Sequence, residues 1–146
     1  MTNIEAMQLL QDKELPAEKL AELSQHEDPF VRVRVAAHLN TDAQTLVTLS
    51  KDEIGYVREF VAEHHNTPVE TLAELSKEAE LSYWIGGNPN TPVEILTRLA
   101  SIDDENVRAS VAVNPSVPSE ILERLRKDEN EDVRAAVEKN PSLKNN

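Results

Sequence analysis

Apolar residues recur along the chain with two alternating spacings. Pairs of leucines stand three residues apart, and after each pair an acidic turn leads to a second apolar pair four residues apart. Both spacings place their residues on one face of an α-helix, so they predict amphipathic helices of two alternating types. The leucine pairs are Leu20 and Leu23, Leu46 and Leu49, Leu72 and Leu75, Leu96 and Leu99, and Leu122 and Leu125. The second pairs are Val31 and Val35, Val57 and Val61, Leu81 and Ile85, Val107 and Val111, and Val133 and Val137.

The two helix types together form a repeat that occurs five times. The repeats span 15–40, 41–66, 67–90, 91–116 and 117–142, and all have 26 residues except the third, which has 24. No repeat has the alternating pattern of a strand, and neither helix has enough apolar surface to be stable alone. Neighbouring repeats must therefore stack and share a core. We expect an all-α fold, an α-solenoid of five tandem two-helix repeats.

Helix boundaries are marked by threonine, proline, glutamate and asparagine. In the fourth repeat, Thr91, Pro92 and Glu94 predict an N-cap residue, a first helical residue and a capping-box glutamate. The same residue types open the third repeat. The second helix is expected to end at Asn114-Pro115, because the residue before a proline is pushed out of the helical region.

The segments outside the repeats are short. Residues 1–14 are predicted to form an N-terminal cap, in which Thr2 and Glu5 have the spacing of a capping box. Residues 143–146 are predicted to be a tail. We therefore expect one solenoid domain over residues 1–146.

The repeat resembles the variant leucine-rich repeat family. The resemblance rests on Pro-x-Glu-x-Leu-x-x-Leu followed by Val-Arg-x-x-Val-Ala-x-Asn-Pro-Ser and covers about residues 15–142, most closely 91–116. It implies a right-handed superhelix that alternates α and 3₁₀ helices, whereas periodicity alone allows two α-helices per repeat. Some members hold an iron–sulfur centre in a cysteine cluster. This chain has no cysteine, so we expect no cofactor.

The charge balance bears on the kind of partner. With 15 basic and 27 acidic residues, the formal net charge is −12, which repels nucleic-acid phosphates and anionic membranes at a distance. No apolar run is long enough to cross a bilayer. We expect a cytoplasmic protein, a monomer rather than an oligomer, with no membrane association.

Four arginines occupy one register position, directly after the first buried valine of the second helix. Such a ladder could bind an acidic partner. Each arginine, however, follows an acidic turn, so pairing within the protein is the simpler interpretation. The ladder consists of Arg32, Arg58, Arg108 and Arg134.

The third repeat departs from the others. Gly86 replaces alanine, which costs a helix about 0.5–1 kcal/mol, and Tyr83 and Trp84 appear in a chain with five aromatic residues. Because Trp84 shares its register position with Phe60, the two could anchor a partner segment together with Tyr83. The alternative is that Trp84 fills space left by the shortened repeat.

Two histidines, His38 and His64, share a register position, and His65 is adjacent. A metal site needs further ligands, and none is in register. Histidines that cap carbonyls at helix ends are the favoured interpretation. No motif for a nucleophile, a phosphate loop or a metal-binding helix is present, so we do not expect an enzyme.

These observations favour a non-catalytic scaffold that binds an unidentified protein along a concave groove of second helices. The alternatives are a helical-repeat protein that binds nucleic acid through the arginine ladder, or an acidic mimic of nucleic acid that binds a basic protein. The candidate partner-binding residues are Trp84, Tyr83, Phe60, Arg32, Arg58, Arg108 and Arg134, and no catalytic or metal-binding residue is proposed.

Overall fold

The computed structural model describes residues 1–145, and side chains as far as residue 143. Within this part of the chain every regular element is a helix, which confirms the all-α, repeat-built fold. The chain divides into two compact units, Met1–Thr71 and Leu72–Asn146. The helices are α1 (Asn3–Leu9), α2 (Ala17–Leu23), α3 (Pro29–Ala36), α4 (Ala43–Leu49), α5 (Gly55–Glu63), α6 (Val69–Leu75), η1 (Ala79–Leu81), α7 (Ser82–Gly87), α8 (Val93–Leu99), α9 (Glu105–Val113), α10 (Ser119–Leu125), α11 (Glu131–Glu138) and η2 (Pro141–Asn145), where η denotes a 3₁₀ helix.

The first helices of the five repeats are α2, α4, α6, α8 and α10. Each has seven residues and carries one predicted leucine pair. Every leucine of these pairs is buried, with an exposed fraction of 3% or less. The predicted apolar stripe is therefore confirmed, and it forms the core.

The second helices are α3, α5, α7, α9 and α11, and all five are α-helical. The alternation of α and 3₁₀ helices that the family resemblance implies is thus not adopted; a 3₁₀ turn precedes only α7, in the shortened repeat, among these helices. Side-chain caps support regular α-helical starts, as where the Asp104 carboxylate accepts hydrogen bonds from the amides of Asn106 and Val107. The predicted apolar pairs have exposed fractions of 5% or less, and all lie on these helices except Leu81, which ends η1.

The capping box predicted for the first helix of the fourth repeat is wrong. In the fourth repeat Pro92 is itself the N-cap residue, with extended ψ 146° and no side-chain cap. Proline has no backbone N–H for a capping-box glutamate to accept, so Glu94 cannot close the box. The buried hydroxyl of Thr91 instead donates to the carbonyl of Ile85, 2.6 Å away, at the end of the preceding helix. Thr41 and Thr67 make the same bond in their own repeats.

The N-terminal cap contains a true capping box. The Thr2 hydroxyl accepts from the Glu5 amide, and the Glu5 carboxylate accepts from the Thr2 amide, as predicted. At the other end, the predicted tail begins inside η2, and Asn146 lies outside the described residues.

Gly86 permits a close approach between α7 and α9. A methyl group added there would lie 2.3 Å from Ser110 Oγ and 3.2 Å from Val111 Cγ2. The Ser110 hydroxyl is itself fixed, because it donates to the carbonyl of Val107 at 2.8 Å. The glycine that weakens the helix is therefore required by packing. Gly87, in contrast, has no atom within 4 Å of the equivalent position.

We predict that Gly86→Ala lowers the free energy of unfolding by about 1–3 kcal/mol, as over-packed cores do. Gly87→Ala is the matched control and should be neutral or slightly stabilising, because alanine is the better helix former. Urea denaturation followed by circular dichroism compares the two variants. Equal stabilities would show that the α7–α9 approach does not require glycine at position 86.

Candidate protein-binding surface

Two arginines of the predicted ladder are held in forked ion pairs. Arg32 binds Asp52 through Nε at 2.6 Å and Nη2 at 3.1 Å, and Arg108 binds Asp128 through the same atoms at 2.8 and 3.0 Å. All four side chains are nearly buried, with 7–12% of their surface exposed. In both pairs the aspartate lies 20 residues after the arginine, in the turn of the next repeat. These arginines therefore join neighbouring repeats.

The ladder arginines also bind the turns that connect the first and second helices of their own repeats. Nη1 of each arginine donates to the carbonyl six residues earlier, at distances of 2.6–2.9 Å. In this way Arg58 binds the carbonyl of Asp52 and Arg134 binds that of Asp128. Pairing inside the protein is confirmed for these groups, although the carboxylate partners of Arg32 and Arg108 lie one repeat further on than the sequence suggested.

The ion pairs also set the ionisation of their carboxylates. The hydrogen bonds from Arg108 hold the pKa of Asp128 below its ordinary value of 3.8, against the opposing effect of burial. Asp128 therefore stays ionised beside a guanidinium group. The guanidinium group of Arg108 is already neutralised by this carboxylate, so it is poorly suited to binding a phosphate or a carboxylate of a partner.

A second ladder, of histidines and asparagines, also joins the repeats. His64 Nε2 lies 3.0 Å from the carbonyl of His38, and His38 Nε2 lies 2.9 Å from that of Asp12. In later repeats Asn114 Nδ2 donates to the carbonyls of Gly86 and Asn88 at 2.7 and 2.8 Å. Asn140 makes the equivalent bonds to Ala112 and Asn114. The histidines bind backbone carbonyls as predicted, but these carbonyls lie in the turns that precede their repeats rather than at the end of the histidine's own helix.

The hydrogen bonds of His64 define its protonation state. Nδ1 accepts from the Asn66 amide at 3.0 Å, so the proton is on Nε2, which faces the carbonyl of His38. Burial lowers the pKa of His64 below its ordinary value of 6.5, against the hydrogen bond to the carbonyl of His38, which raises it; the charges of His65 and His38 lower it further. The neutral ring is thus the form that fits the ladder.

We predict that acid weakens the fold through His64. Because its pKa is lowered on folding, the unfolded chain binds the proton more readily, and stability falls as the pH drops through 6.5 towards the folded pKa. His64→Asn should reduce this dependence, since asparagine takes the same position in the later repeats. Urea midpoints at pH 7.5 and pH 5 measure the effect. An equal acid shift in wild type and variant would contradict the assignment.

All five aromatic residues lie on second helices, and none is among the buried core residues. Phe30 is 74% exposed and Tyr56 68%, while Tyr83 is 47% exposed. Phe60 and Trp84 are half-buried. The buried hydrophobic core is aliphatic, and the aromatic side chains are exposed or half-buried at the surface. They are the residue types that dominate binding energy at protein interfaces.

In the first unit Leu39 lines two surface pockets, and Phe60 lines one of them. One, of about 380 Å³, includes Arg34 and Leu39, and the other, of about 260 Å³, includes Leu39 and Phe60. Leu39 is 66% exposed between them. We call Phe30, Leu39, Tyr56 and Phe60 the first-unit aromatic surface.

In the second unit Tyr83 and Trp84 lie together at the start of α7. Their rings meet edge to face, with centroids 5.1 Å apart. The space beside Gly86 is taken by Ser110 and Val111 of α9, and whether the half-buried Trp84 fills space elsewhere in the shortened repeat stays a prediction. We call Tyr83 and Trp84 the second-unit aromatic surface.

Phe30 and Tyr56 are exposed aromatic residues that were not predicted as candidate binding residues. Each stands one residue before the first buried valine of its second helix, at equivalent positions of neighbouring repeats. That position faces solvent, and an aromatic residue there is the signal that could have identified both. The adjacent Tyr83 and Trp84 in the shortened third repeat are the more conspicuous signal in the sequence.

The described part of the chain offers neither a metal site nor a membrane span. Among residues 1–145, no three histidine, aspartate or glutamate side chains come together as a metal site would require. None of the described helices has both the length and the apolar character needed to span a membrane.

Comparison with known proteins supports the fold. A solved structure described as a leucine-rich repeat variant with a novel repetitive protein structural motif is similar over 92% of this chain, with 23% identity and a TM-score of 0.61. The chain spans 59% of the length of that protein. Neither the protein-family models nor the curated proteins give a match. The resemblance to a leucine-rich repeat variant is therefore confirmed at the level of the fold.

Proposed function

We propose that the protein is a non-catalytic scaffold that binds a partner protein through the aromatic surfaces of its second helices. The observation that carries this proposal is the position of the aromatic residues: all five are outside the core, on one type of helix. Tyrosine, tryptophan and phenylalanine side chains exposed without a structural need are costly in water and favourable in an interface. A repeat fold offers an extended surface for such contacts.

The arginine ladder favours a protein partner over nucleic acid. Binding to nucleic acid depends on cations that neutralise phosphates. Arg32 and Arg108 are nearly buried and already bind carboxylates, and the net charge of −12 opposes the approach of a polyanion. The aromatic surfaces need no such cations.

The test is affinity capture from a nuclease-treated lysate with matched surface variants. Tyr56→Ser and Tyr83→Ser change the two aromatic surfaces. Val69→Ser and Val93→Ser are the controls, because these valines are 47% and 48% exposed but lie on first helices. We expect a captured protein to be retained by both controls and reduced at least several-fold by a tyrosine variant, since interface aromatics contribute about 2 kcal/mol or more.

Two results would contradict the proposal. One is capture that disappears with nuclease, which would indicate nucleic acid. The other is a partner lost with the valine variants and retained by both tyrosine variants, which would place the interface on the first helices.

A further inference from the structure

We propose that Phe30 and Tyr56 bind two arginine side chains of an extended segment of the partner protein. This inference rests on the proposed function and specifies the chemistry of the partner at one part of the first-unit aromatic surface. It arises from three features of that surface: two exposed rings at equivalent positions, nearby exposed carboxylates that form no ion pair among the described residues, and a spacing set by the repeat.

The two rings occupy equivalent positions on helices that pack against each other. Phe30 lies in the first turn of α3 and Tyr56 in the first turn of α5. Both helices belong to the first unit and are in contact. With exposed fractions of 74% and 68%, both rings have a face open to a ligand, and neither contributes to the core.

The charges around this pair are complementary to a cation. Glu27 and Glu53 stand three residues before Phe30 and Tyr56, and both are exposed. Among the described residues neither carboxylate forms an ion pair. The nearby cation Arg32 binds Asp52 and the carbonyls of His26 and Glu27, and its charge also interacts with that of Glu53 without forming an ion pair. An aromatic face beside an available carboxylate is the environment in which a cation–π contact is reinforced by charge.

Other charged groups of the first unit have both signs: Lys51 lines the same pocket as Glu27 and Glu53, and Arg58 on α5 donates to the carbonyl of Asp52. Arg34 is the exposed cation on α3, and it lines the pocket beside Leu39, one helical turn beyond Phe30. On α5, Glu59 and Glu63 add negative charge. The surface at Phe30 and Tyr56 therefore favours a cationic ligand, in a protein whose net charge is −12.

The spacing of the rings favours arginines three residues apart. Packed helices have axes about 8–10 Å apart, so equivalent residues on α3 and α5 are separated by about that distance. A polyproline II segment rises about 3.1 Å per residue with three residues per turn, so residues three apart lie on one face about 9.3 Å apart. Arginine is preferred to lysine because its planar, weakly hydrated guanidinium group stacks on aromatic rings.

The experiment uses the full chain and a labelled synthetic peptide. The probe has two arginines three residues apart in a proline-rich segment, and fluorescence anisotropy measures its binding. Peptides with citrulline at both positions, or with the arginines two residues apart, are the controls. We expect the arginine probe to bind at least several-fold more tightly than either control.

Variants of the protein assign the site. Phe30→Ala with Tyr56→Ala should weaken binding of the probe by roughly fivefold or more, since each exposed cation–π contact is worth about two- to fivefold in affinity. Because both rings are exposed, the variant should fold, which far-UV circular dichroism verifies. If the double variant does not fold, binding is measured with the milder variant Tyr56→Leu, which keeps an apolar side chain but removes the ring.

A matched pair of charge variants separates a specific site from general attraction. The double variant Glu27→Gln with Glu53→Gln should weaken binding of the probe more than the double variant Glu18→Gln with Glu70→Gln. The second pair changes the net charge by the same amount but lies on first helices. Equal effects of the two pairs, or unchanged binding without the rings, would overturn the proposal.

Failure here is distinguishable from failure of the proposed function. If Tyr56→Ser reduces capture of a protein partner but the arginine probe does not bind, the scaffold remains and the arginine chemistry is wrong. If no variant of the aromatic surfaces changes capture, both proposals fail.

Discussion

Replacing Asn114 with alanine is expected to lower the free energy of unfolding by about 3–5 kcal/mol, because it leaves buried polar groups without partners. Asn114 is fully buried. Its amide donates to the carbonyls of Gly86 and Asn88, and its oxygen accepts from the Ser116 amide. All three bonds are lost together. Urea denaturation at neutral pH measures the change.

Two further variants show whether the loss arises from the ladder. Asn106→Ala changes an exposed asparagine near the start of α9 and should cost less than about 0.5 kcal/mol. Asn114→Asp keeps the shape of the side chain but turns a carboxylate towards two carbonyls, so it should be at least as destabilising as alanine. A stable Asn114→Asp variant would disprove the importance of the donated bonds.

Removing Arg108 should cost about 2–4 kcal/mol, because the nearly buried carboxylate of Asp128 loses its partner. The carbonyl of Ile102 loses its hydrogen bond as well. Arg108→Lys should recover only part of the loss, since lysine cannot form the forked pair. Arg134→Ala is the control in the same register position, exposed and bound to backbone carbonyls alone among the described residues.

A double-mutant cycle with Asp128→Asn isolates the pair. Because the pKa of Asp128 is lowered on folding, its stabilising contribution is present above its ordinary pKa of 3.8 and is lost as the pH falls through the lower, folded value. The coupling between Arg108 and Asp128 should therefore be large at pH 7 and reduced in strong acid. Additive effects of the two substitutions at pH 7 would show that the pair does not couple the repeats.

The sequence predicted the helical repeat well because burial follows local spacing. Leu96 and Leu99, like Val107 and Val111, were placed in the core from their intervals alone, and all are buried. The capping of the first helix in the fourth repeat was mispredicted because Thr91 has a competing acceptor: the carbonyl of Ile85, brought near by the chain reversal. A local motif cannot reveal a partner that folding supplies.

The contacts of the candidate binding residues were less predictable, because their partners are also brought near only by folding. The acidic turn before Arg108 suggested a nearby carboxylate, but the observed partner, Asp128, is 20 residues later in the next repeat. Only the stacking of repeats brings the two together. Gly86 looked like a defect until the approach of Ser110 gave its cause. Whether Trp84, Tyr83 and Phe60 contact a partner stays a prediction.

The placement of the aromatic residues also determines which events change the intrinsic fluorescence of this protein. Its single tryptophan and both tyrosines are on second helices outside the core. Ultraviolet fluorescence should therefore respond to occupation of the aromatic surfaces more directly than to melting of the aliphatic interior. A titration with the true partner should shift the emission of Trp84 while the far-ultraviolet signal of the helices stays constant.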